Sequence, residues 1–362
     1  MSNIIESLVI GAGPAGIAAA LQLSREKASC LLVDRRGKAG GLIENAWKVS
    51  NSPFFRAGTP GPEVAGALRN RLEAQKIEVV CMEVTSIRQA EDGLWMVEAR
   101  DGTIVRARVV ILATGTVPKE ISYEGLSRSF AYEIRDLDLD GARNAVVIGG
   151  GDAAFDGALN LADRGIAVQL VMRGDSARAN PTLREEVAKH GRITVHTRAS
   201  IEVVERLENG FSLRLAGPNA ASISCDAILC CIGRCSSLET IEVVGAPGSA
   251  GDISPDDERR PKYPHVRPPH DPPDQPVEEM PVEGRSGGRC PESLEGYLPP
   301  ARPCAQEDIS LLEHRGLFLA GDVRNGRFRQ IGIAAGDGQL AAMKAAAFLK
   351  GSSFPGSGPR SR

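Results

Sequence analysis

SLVIGAGPAGIAAALQLSRE, residues 7–26, is the stretch on which the fold turns. An apolar run ends in Gly11-x-Gly13-x-x-Gly16, and an alanine-rich helical segment follows. Each glycine answers a physical demand. Gly11 permits a tight turn, Gly13 leaves room for a pyrophosphate against the backbone, and Gly16 lets the helix approach the strand. The helix N-terminus then turns free amides and the positive end of its dipole toward phosphate. Gly11, Gly13, Pro14, Ala15 and Gly16 are therefore candidate cofactor-binding residues. CLLVD (30–34) reads as the next strand. It ends in Asp34 at about the twenty-residue distance where a carboxylate can hold a ribose hydroxyl. A glycine turn with a surface acid is the weaker alternative, because strand, loop, helix, strand and acid all fall in register.

The pattern returns in NAVVIGGGDAAFDGALNLADRG (144–165), with Gly149-x-Gly151-x-x-Ala154 as the loop. Asp152 and Ala153 join Gly149 and Gly151 as candidates at this second site. The following strand, IAVQLVM (166–172), ends not in an acid but in Arg173, with Arg178 close behind. A guanidinium suits a 2′-phosphate by charge and bidentate geometry, whereas a carboxylate would repel it. This favours NADP, with NAD still possible, and two ordinary surface charges would look the same in sequence. Two such units imply two dinucleotides, one supplying hydride and the other receiving it.

The rest of the composition agrees. The chain has 362 residues, 42% hydrophobic, with a formal charge of −3. That suits two domains, and without a basic stripe it gives little support to nucleic-acid or membrane binding. The start runs straight into a strand without a signal-like core, and no apolar run reaches membrane-spanning length, so a soluble cytoplasmic protein is expected. Its eight cysteines should be mostly reduced there. Cys30, Cys225, Cys230 and Cys231 lie in apolar strand-like runs and read as small buried hydrophobes.

Further motifs narrow the reading. Gly40-Gly41-Leu42 matches a GGQL-type flavin loop, and Asn51 matches the asparagine of an ENxPG-type segment. VVILATGT (109–116), with Thr114 and Gly115, looks like a domain-closing ATG strand. GLFLAGDVRNGRFRQIGIAAGDGQLAA (316–342) matches a GVFAAGDV…YRQ…AAGxG segment. MRGDSARA (172–179) resembles an HRRxxxR signature, with Met172 and Gly174 as departures. On these residues the chain resembles the thioredoxin reductase-like flavoprotein family, which includes ferredoxin–NADP reductases of the same architecture.

The resemblance implies FAD and NADP as cofactors. It places Gly321 and Asp322 at the flavin ribityl chain, and Arg329, Gln330 and Ile331 beside the ring. Gly41, Leu42, Asn51, Thr114, Gly115 and Gly233 complete the implied binding set, and a homodimer is expected. The implied fold is α/β, two doubly wound Rossmann-like units, each with a small β-meander. The FAD domain would be split into 1–115 and 312–362, with the NADP domain inserted at 116–240. Residues 241–311, rich in Pro, Gly and charge, read as a largely disordered insertion. His265, His270, Cys290 and Cys304 within it match no zinc spacing, so no metal is expected.

One departure decides the chemistry. Counting back from Gly149 without gaps puts YEIRD (132–136) where the family carries Cys-x-x-Cys-Asp. Tyr132 and Arg135 take the cysteine positions, and Asp136 takes that of the catalytic acid. Neither phenol nor guanidinium can do the work of a thiolate pair. Asp136 is the candidate proton donor and Tyr132 a candidate neighbour of the flavin, although an exposed acid in RDLDLD is the plainer reading of Asp136. Electrons would pass from NADPH to FAD and then to a ferredoxin- or flavodoxin-type protein, or to a small-molecule acceptor. The rivals are a disulfide reductase using Cys290 and Cys304, a flavin-dependent oxidase or monooxygenase, and a non-catalytic flavin-binding sensor.

Overall fold

A computed structural model of the chain describes residues 4–121, 131–208, 210–218, 220–244, 312–326 and 328–351. Six strands open it: β1 (Ile4–Ile10), β2 (Cys30–Asp34), β3 (Val79–Cys81), β4 (Val84–Gln89), β5 (Trp95–Ala99) and β6 (Ile104–Leu112). β7 (Thr116–Pro118) leads out of this group. β8 (Asn144–Ile148), β9 (Ala167–Val171) and β10 (Ile193–His196) follow, then β11 (Ser200–Leu207), β12 (Gly210–Ala216), β13 (Ser222–Cys225) and β14 (Ala227–Cys230). β15 (Arg234–Ser236) leads back to β16 (Glu242–Val244) and β17 (Leu317–Leu319). The helices are α1 (Pro14–Arg25), α2 (Gly61–Ala74), α3 (Asp152–Asp163), α4 (Pro181–Lys189) and α5 (Ile331–Leu349).

The first sheet runs β16-β4-β5-β6-β1-β2-β3, and β17 also pairs with β6. β1 lies parallel between β2 and β6. The far half of β6 takes β17 in parallel, whereas its near half takes β5 antiparallel. One long strand thus serves both a doubly wound sheet and a β4-β5-β6 meander. Its parallel half is the continuous apolar VVIL of 109–112, buried on both faces. The second sheet, β10-β9-β8-β14, is parallel throughout, and β11-β12-β13 forms a separate antiparallel meander. β7 and β15 pair antiparallel as a two-stranded ribbon where the chain crosses between the two units.

β16 refines the expected boundary at 241. Glu242–Val244 pair in parallel with β4, so the first sheet continues into the segment expected as insertion. Val243 lies against the core of the first sheet, which favours strand there over loop. Residues 245–311, including His265, His270, Cys290 and Cys304, lie outside the described residues. Among the described residues, no helix is long and apolar enough to cross a membrane.

α1 and α5 pack against each other over the first sheet, and small residues set their distance. A Cβ on Gly338 would stand 2.0 Å from the Ala15 carbonyl oxygen. Gly336, two residues earlier on α5, has nothing within 4 Å of such an atom. Gly338→Ala should therefore destabilise the fold by about 2 kcal/mol by forcing the helices apart. Gly336→Ala should stabilise it by roughly 0.5–1 kcal/mol by restricting the unfolded chain. Chemical denaturation of the two variants beside wild type checks the sign of each.

Candidate active site

Both glycine loops take the form that phosphate binding requires. Gly11 has φ +102°, and a Cβ there would lie 2.4 Å from the Ala113 carbonyl oxygen. A Cβ on Gly16 would come within 1.7 Å of the Gly11 carbonyl oxygen. These two glycines are demanded by the protein itself. Gly13 is different: its backbone is extended, and its Cβ position meets only the Gly41 Cα, at an ordinary 3.9 Å. The second loop repeats the contrast. Gly149 (φ +143°) would drive a Cβ to 2.3 Å from the Cys231 carbonyl oxygen, while Gly151 has nothing within 4 Å. No side chain caps α1 or α3, so both helix N-termini leave amides for another partner. A glycine whose missing side chain no protein atom needs, beside an uncapped helix, fits a dinucleotide at each loop.

The elements around the first loop bring the expected residues together. Asp34, at the end of β2, accepts the Ala12 N–H at 3.0 Å and the Arg36 N–H at 2.8 Å. The carboxylate thus folds back onto the glycine loop. Gly41 (φ +59°) and Leu42 lie in a 3-10 turn, Gly41–Asn45, and a Cβ on Gly41 would reach 2.8 Å from the Gly13 Cα. Asn51 donates to the Gln330 side chain at 2.5 Å, joining this loop to the start of α5 at Ile331. The Ser237 hydroxyl lies 2.7 Å from the Thr114 hydroxyl and 2.9 Å from the Gly115 carbonyl oxygen, within hydrogen-bond distance of both. Gly321 (φ +79°) opens a turn whose N–H is accepted by Asp337, a residue the sequence reading passed over.

Asp322 lies next in that turn. Among the described residues no group hydrogen-bonds to its carboxylate, and burial holds its pKa above the usual value despite nearby Arg329 and Arg234. Arg329 donates to the Arg234 carbonyl oxygen at 3.4 and 3.5 Å, but its buried Nε has no partner. A half-buried acid and a guanidinium, each with unused capacity, fit a polar ligand between the loops. At the second loop, the Arg178 N–H donates to the Gly150 carbonyl at 2.7 Å, and Asp152 accepts the Asn180 N–H at 2.7 Å. The 173–180 segment is thereby folded against the glycine loop, with Ala153, Arg173 and Arg178 exposed beside it. Gly233 (φ +120°) stands at the crossing, where its carbonyl accepts the Lys119 N–H at 3.0 Å.

YEIRD forms an ionic cluster. The Tyr132 hydroxyl accepts the Ile121 N–H at 3.0 Å, and burial raises its pKa. Asp136 receives both terminal nitrogens of Arg36, each at 2.8 Å. That hydrogen-bonded pair lowers the Asp136 pKa, so the group is a carboxylate at neutral pH with no proton to give. The acid at the centre is Glu133, only 5% exposed, with Arg135 and Arg234 donating to it. Only a Glu beside an Arg signalled this in the sequence, because Arg36 and Arg234 are about a hundred residues away on either side.

Four of the described thiols are held in their neutral form. Cys225 and Cys230 are buried, Cys30 and Cys231 half-buried, and burial pushes all four thiols up to about 12. Such groups are neutral near pH 7 and unreactive as nucleophiles. Among the described residues, no cluster of three or more His, Cys, Asp or Glu is arranged to hold a metal ion.

Trp47 straps the two units together. Its backbone N–H donates to Asp156 at 2.8 Å and its indole N–H to Asp163 at 2.7 Å, both on α3. Lys48 lies 3.9 Å from the centre of the Trp47 ring. Burial raises the Asp156 pKa to about 6, against the lowering effect of the Trp47 N–H.

Comparisons with known proteins agree with this geometry. A family model described as pyridine nucleotide-disulphide oxidoreductase matches residues 6–266. The thioredoxin reductase of Streptomyces clavuligerus is 26% identical over 363 residues, covering 96% of this chain and 95% of its own. The thioredoxin reductase of Lactococcus lactis superposes with a TM-score of 0.69 at 25% identity, over 96% of this chain and 99% of its own. The bacillithiol disulfide reductase of Bacillus cereus shares the fold, with a TM-score of 0.60 at 18% identity over 96% and 100% of the two chains.

The buried Asp156 predicts a pH signature. Its folded pKa, about 6, lies above the ordinary aspartate value of about 3.9, so the ionised group costs stability at neutral pH. That cost disappears as pH falls through the folded value toward the unfolded one. Asp156→Asn, which can still accept the Trp47 N–H, should raise stability above about pH 7 by at most about 3 kcal/mol. The gain should vanish below about pH 3, where the wild-type group is protonated in both states. Denaturation curves of both proteins across this range test the sign.

Proposed function

The chain belongs to the pyridine nucleotide-disulphide oxidoreductase family, and within it we propose an enzyme that passes electrons from NADPH to an acceptor without a cysteine relay. It is an FAD-dependent NAD(P)H oxidoreductase. FAD, when bound, supplies a centre that takes hydride from the nicotinamide and hands electrons on. Gly11, Gly13, Pro14, Ala15, Gly16 and Asp34 would hold its ADP half, the glycines admitting pyrophosphate and the acid taking a ribose hydroxyl. Gly41, Leu42, Asn51, Thr114 and Gly115, with Gly321, Asp322, Arg329, Gln330 and Ile331, would hold the flavin half. Gly149, Gly151, Asp152, Ala153 and Gly233 would bind NADPH, with Arg173 and Arg178 at its 2′-phosphate. The chain's contribution is to orient the two nucleotides and keep water out.

The observation that carries the proposal is Glu133 with its arginines, in the segment where relatives of this kind would carry a dithiol. A buried ion cluster neither stores an electron pair nor attacks a disulfide. The acceptor that best suits such a site is a ferredoxin- or flavodoxin-type protein, which takes electrons directly. The rival thiol relay uses Cys290 and Cys304, which lie outside the described residues. The chain would act as a cytoplasmic homodimer of two units, 1–115 with 312–362 and 116–240.

Anaerobic NADPH should bleach the bound flavin at a rate unaffected by thiol alkylation. Reduced protein should then deliver electrons to ferredoxin or ferricyanide, while thioredoxin-coupled disulfide reduction stays negligible. Robust thioredoxin turnover, lost in a Cys290→Ser, Cys304→Ser double variant that NADPH still bleaches, would sink the relay-free reading.

Single glycine changes should separate the two cofactors. Gly13→Ala should keep the fold, since its Cβ meets no protein atom closer than 3.9 Å, but should lower FAD content sharply by crowding the pyrophosphate. Gly151→Ala should retain FAD and weaken NADPH. The Arg173→Ala, Arg178→Ala double variant should lose roughly 10–100-fold in affinity for NADPH and little for NADH. Equal use of both nucleotides, unchanged in the variant, would show the arginines to be bystanders.

A further inference from the structure

Between the two units the chain crosses twice, and the crossings pair as the short β7–β15 ribbon. A hinge of three residues per strand does little to fix how one unit is turned against the other. That orientation must come from other contacts, and they gather on one loop of the first unit, residues 36–48.

Glu133 stands at their centre. It accepts from Arg135 Nε at 2.7 Å and Arg234 Nη2 at 3.2 Å, and Arg36 Nη2 lies 3.7 Å away. Arg234 is on β15 and reaches across the ribbon to β7, donating at 2.8 Å to both the hydroxyl and the carbonyl of Thr116. One guanidinium therefore grips both hinge strands while Glu133 grips it. Arg135 points the other way. It donates to the Gly41 carbonyl at 2.8 Å, and its backbone N–H donates to Asn45 Oδ1 at 3.2 Å. Gly41 is the residue that touches Gly13 in the first glycine loop.

A buried carboxylate among guanidiniums is not an economical way to gain stability. Its desolvation roughly cancels its attraction, and an apolar cluster of the same volume often does better. Ions add direction, since a guanidinium and a carboxylate tolerate few mutual geometries. The arrangement reads as a device for orientation.

We propose that Glu133 is a positioning residue that couples the hinge ribbon to the 36–45 loop and so sets the angle at which the two nucleotide-binding units face each other. The proposal rests on reading the two glycine loops as FAD and NADPH sites. Glu133 would touch no reacting atom. It would act through Arg234 on the hinge and through Arg135 on the loop beside Gly13.

The test uses the full chain, with spin labels on unnatural amino acids at Glu73 on α2 and Glu185 on α4, both exposed and on different units. Pulsed electron paramagnetic resonance gives the distance distribution between them, with and without FAD. Stopped-flow bleaching by NADPH gives the limiting rate and the half-saturating concentration. Glu133→Gln keeps the volume and removes the charge. It should broaden the distribution and lower the limiting rate by about tenfold or more, as misorientation of reactants does. Half-saturating NADPH should move less than about twofold, because neither nucleotide loop is touched. Glu133→Asp, which keeps the charge, should recover part of the rate.

A distribution as narrow as wild type with an unchanged rate in folded Glu133→Gln protein would overturn the proposal. Should that variant not fold, Arg36→Gln at the exposed edge of the cluster takes its place. It should broaden the distribution, and a wild-type distribution in it would overturn the proposal equally. The two readings fail separately. A wild-type flavin that NADPH does not bleach would sink the nucleotide reading, while the label distances in the same protein would still decide the role of Glu133.

Discussion

The close approach of Gly16 to the carbonyl of Gly11 sets the geometry of the first unit. With a Cβ position only 1.7 Å from that oxygen, no other residue lets α1 lie so near the end of β1. The approach aims the helix N-terminus across the strand ends, where Asp34 and the 36–45 loop also arrive. It also brings the Ala15 carbonyl to the surface against which Gly338 of α5 packs. Through that second contact the C-terminal helix carries Gln330 and Arg329 to the same edge. A single steric constraint at one turn thus gathers residues from both ends of the chain, as close-packed interiors transmit position over distance.

The second unit repeats the turn but not its surroundings. Gly149 presses on the Cys231 carbonyl as Gly11 presses on that of Ala113, yet among the described residues no C-terminal helix covers α3. Trp47 and the neighbouring loop of the first unit take that place, held by Asp156 and Asp163. The contact between units combines the Trp47 ring with hydrogen bonds and charge, where the contact within the first unit is apolar and small.

The charged contacts carry a cost. Asp156 is held ionised at neutral pH in a place that favours its neutral form, and Glu133 is sealed among arginines. Proteins tolerate such groups where geometry matters more than stability. The YEIRD segment holds no thiol, and its charged side chains are fixed by ion pairs.

How much of this was legible in the sequence depends on how far each feature reaches along the chain. Both glycine loops, their strands and helices, and Asp34 could be read because each unit closes within about thirty residues, and local periodicity encodes it. The lack of cysteine in YEIRD was equally plain, since a missing residue type needs no structure to be seen. The partners of YEIRD were not legible. Arg36 meets Asp136 across 100 positions, Trp47 meets Asp156 across 109, and Asn51 meets Gln330 across 279. Charged residues on exposed-looking loops show no periodicity that would mark one pair among many. Glu133 therefore carried no signal of its own, beside an Asp136 that drew attention by its position. Only the tertiary structure, which folds the β7–β15 ribbon back onto the 36–45 loop, brings three arginines to one carboxylate and makes Glu133 the acid at the centre.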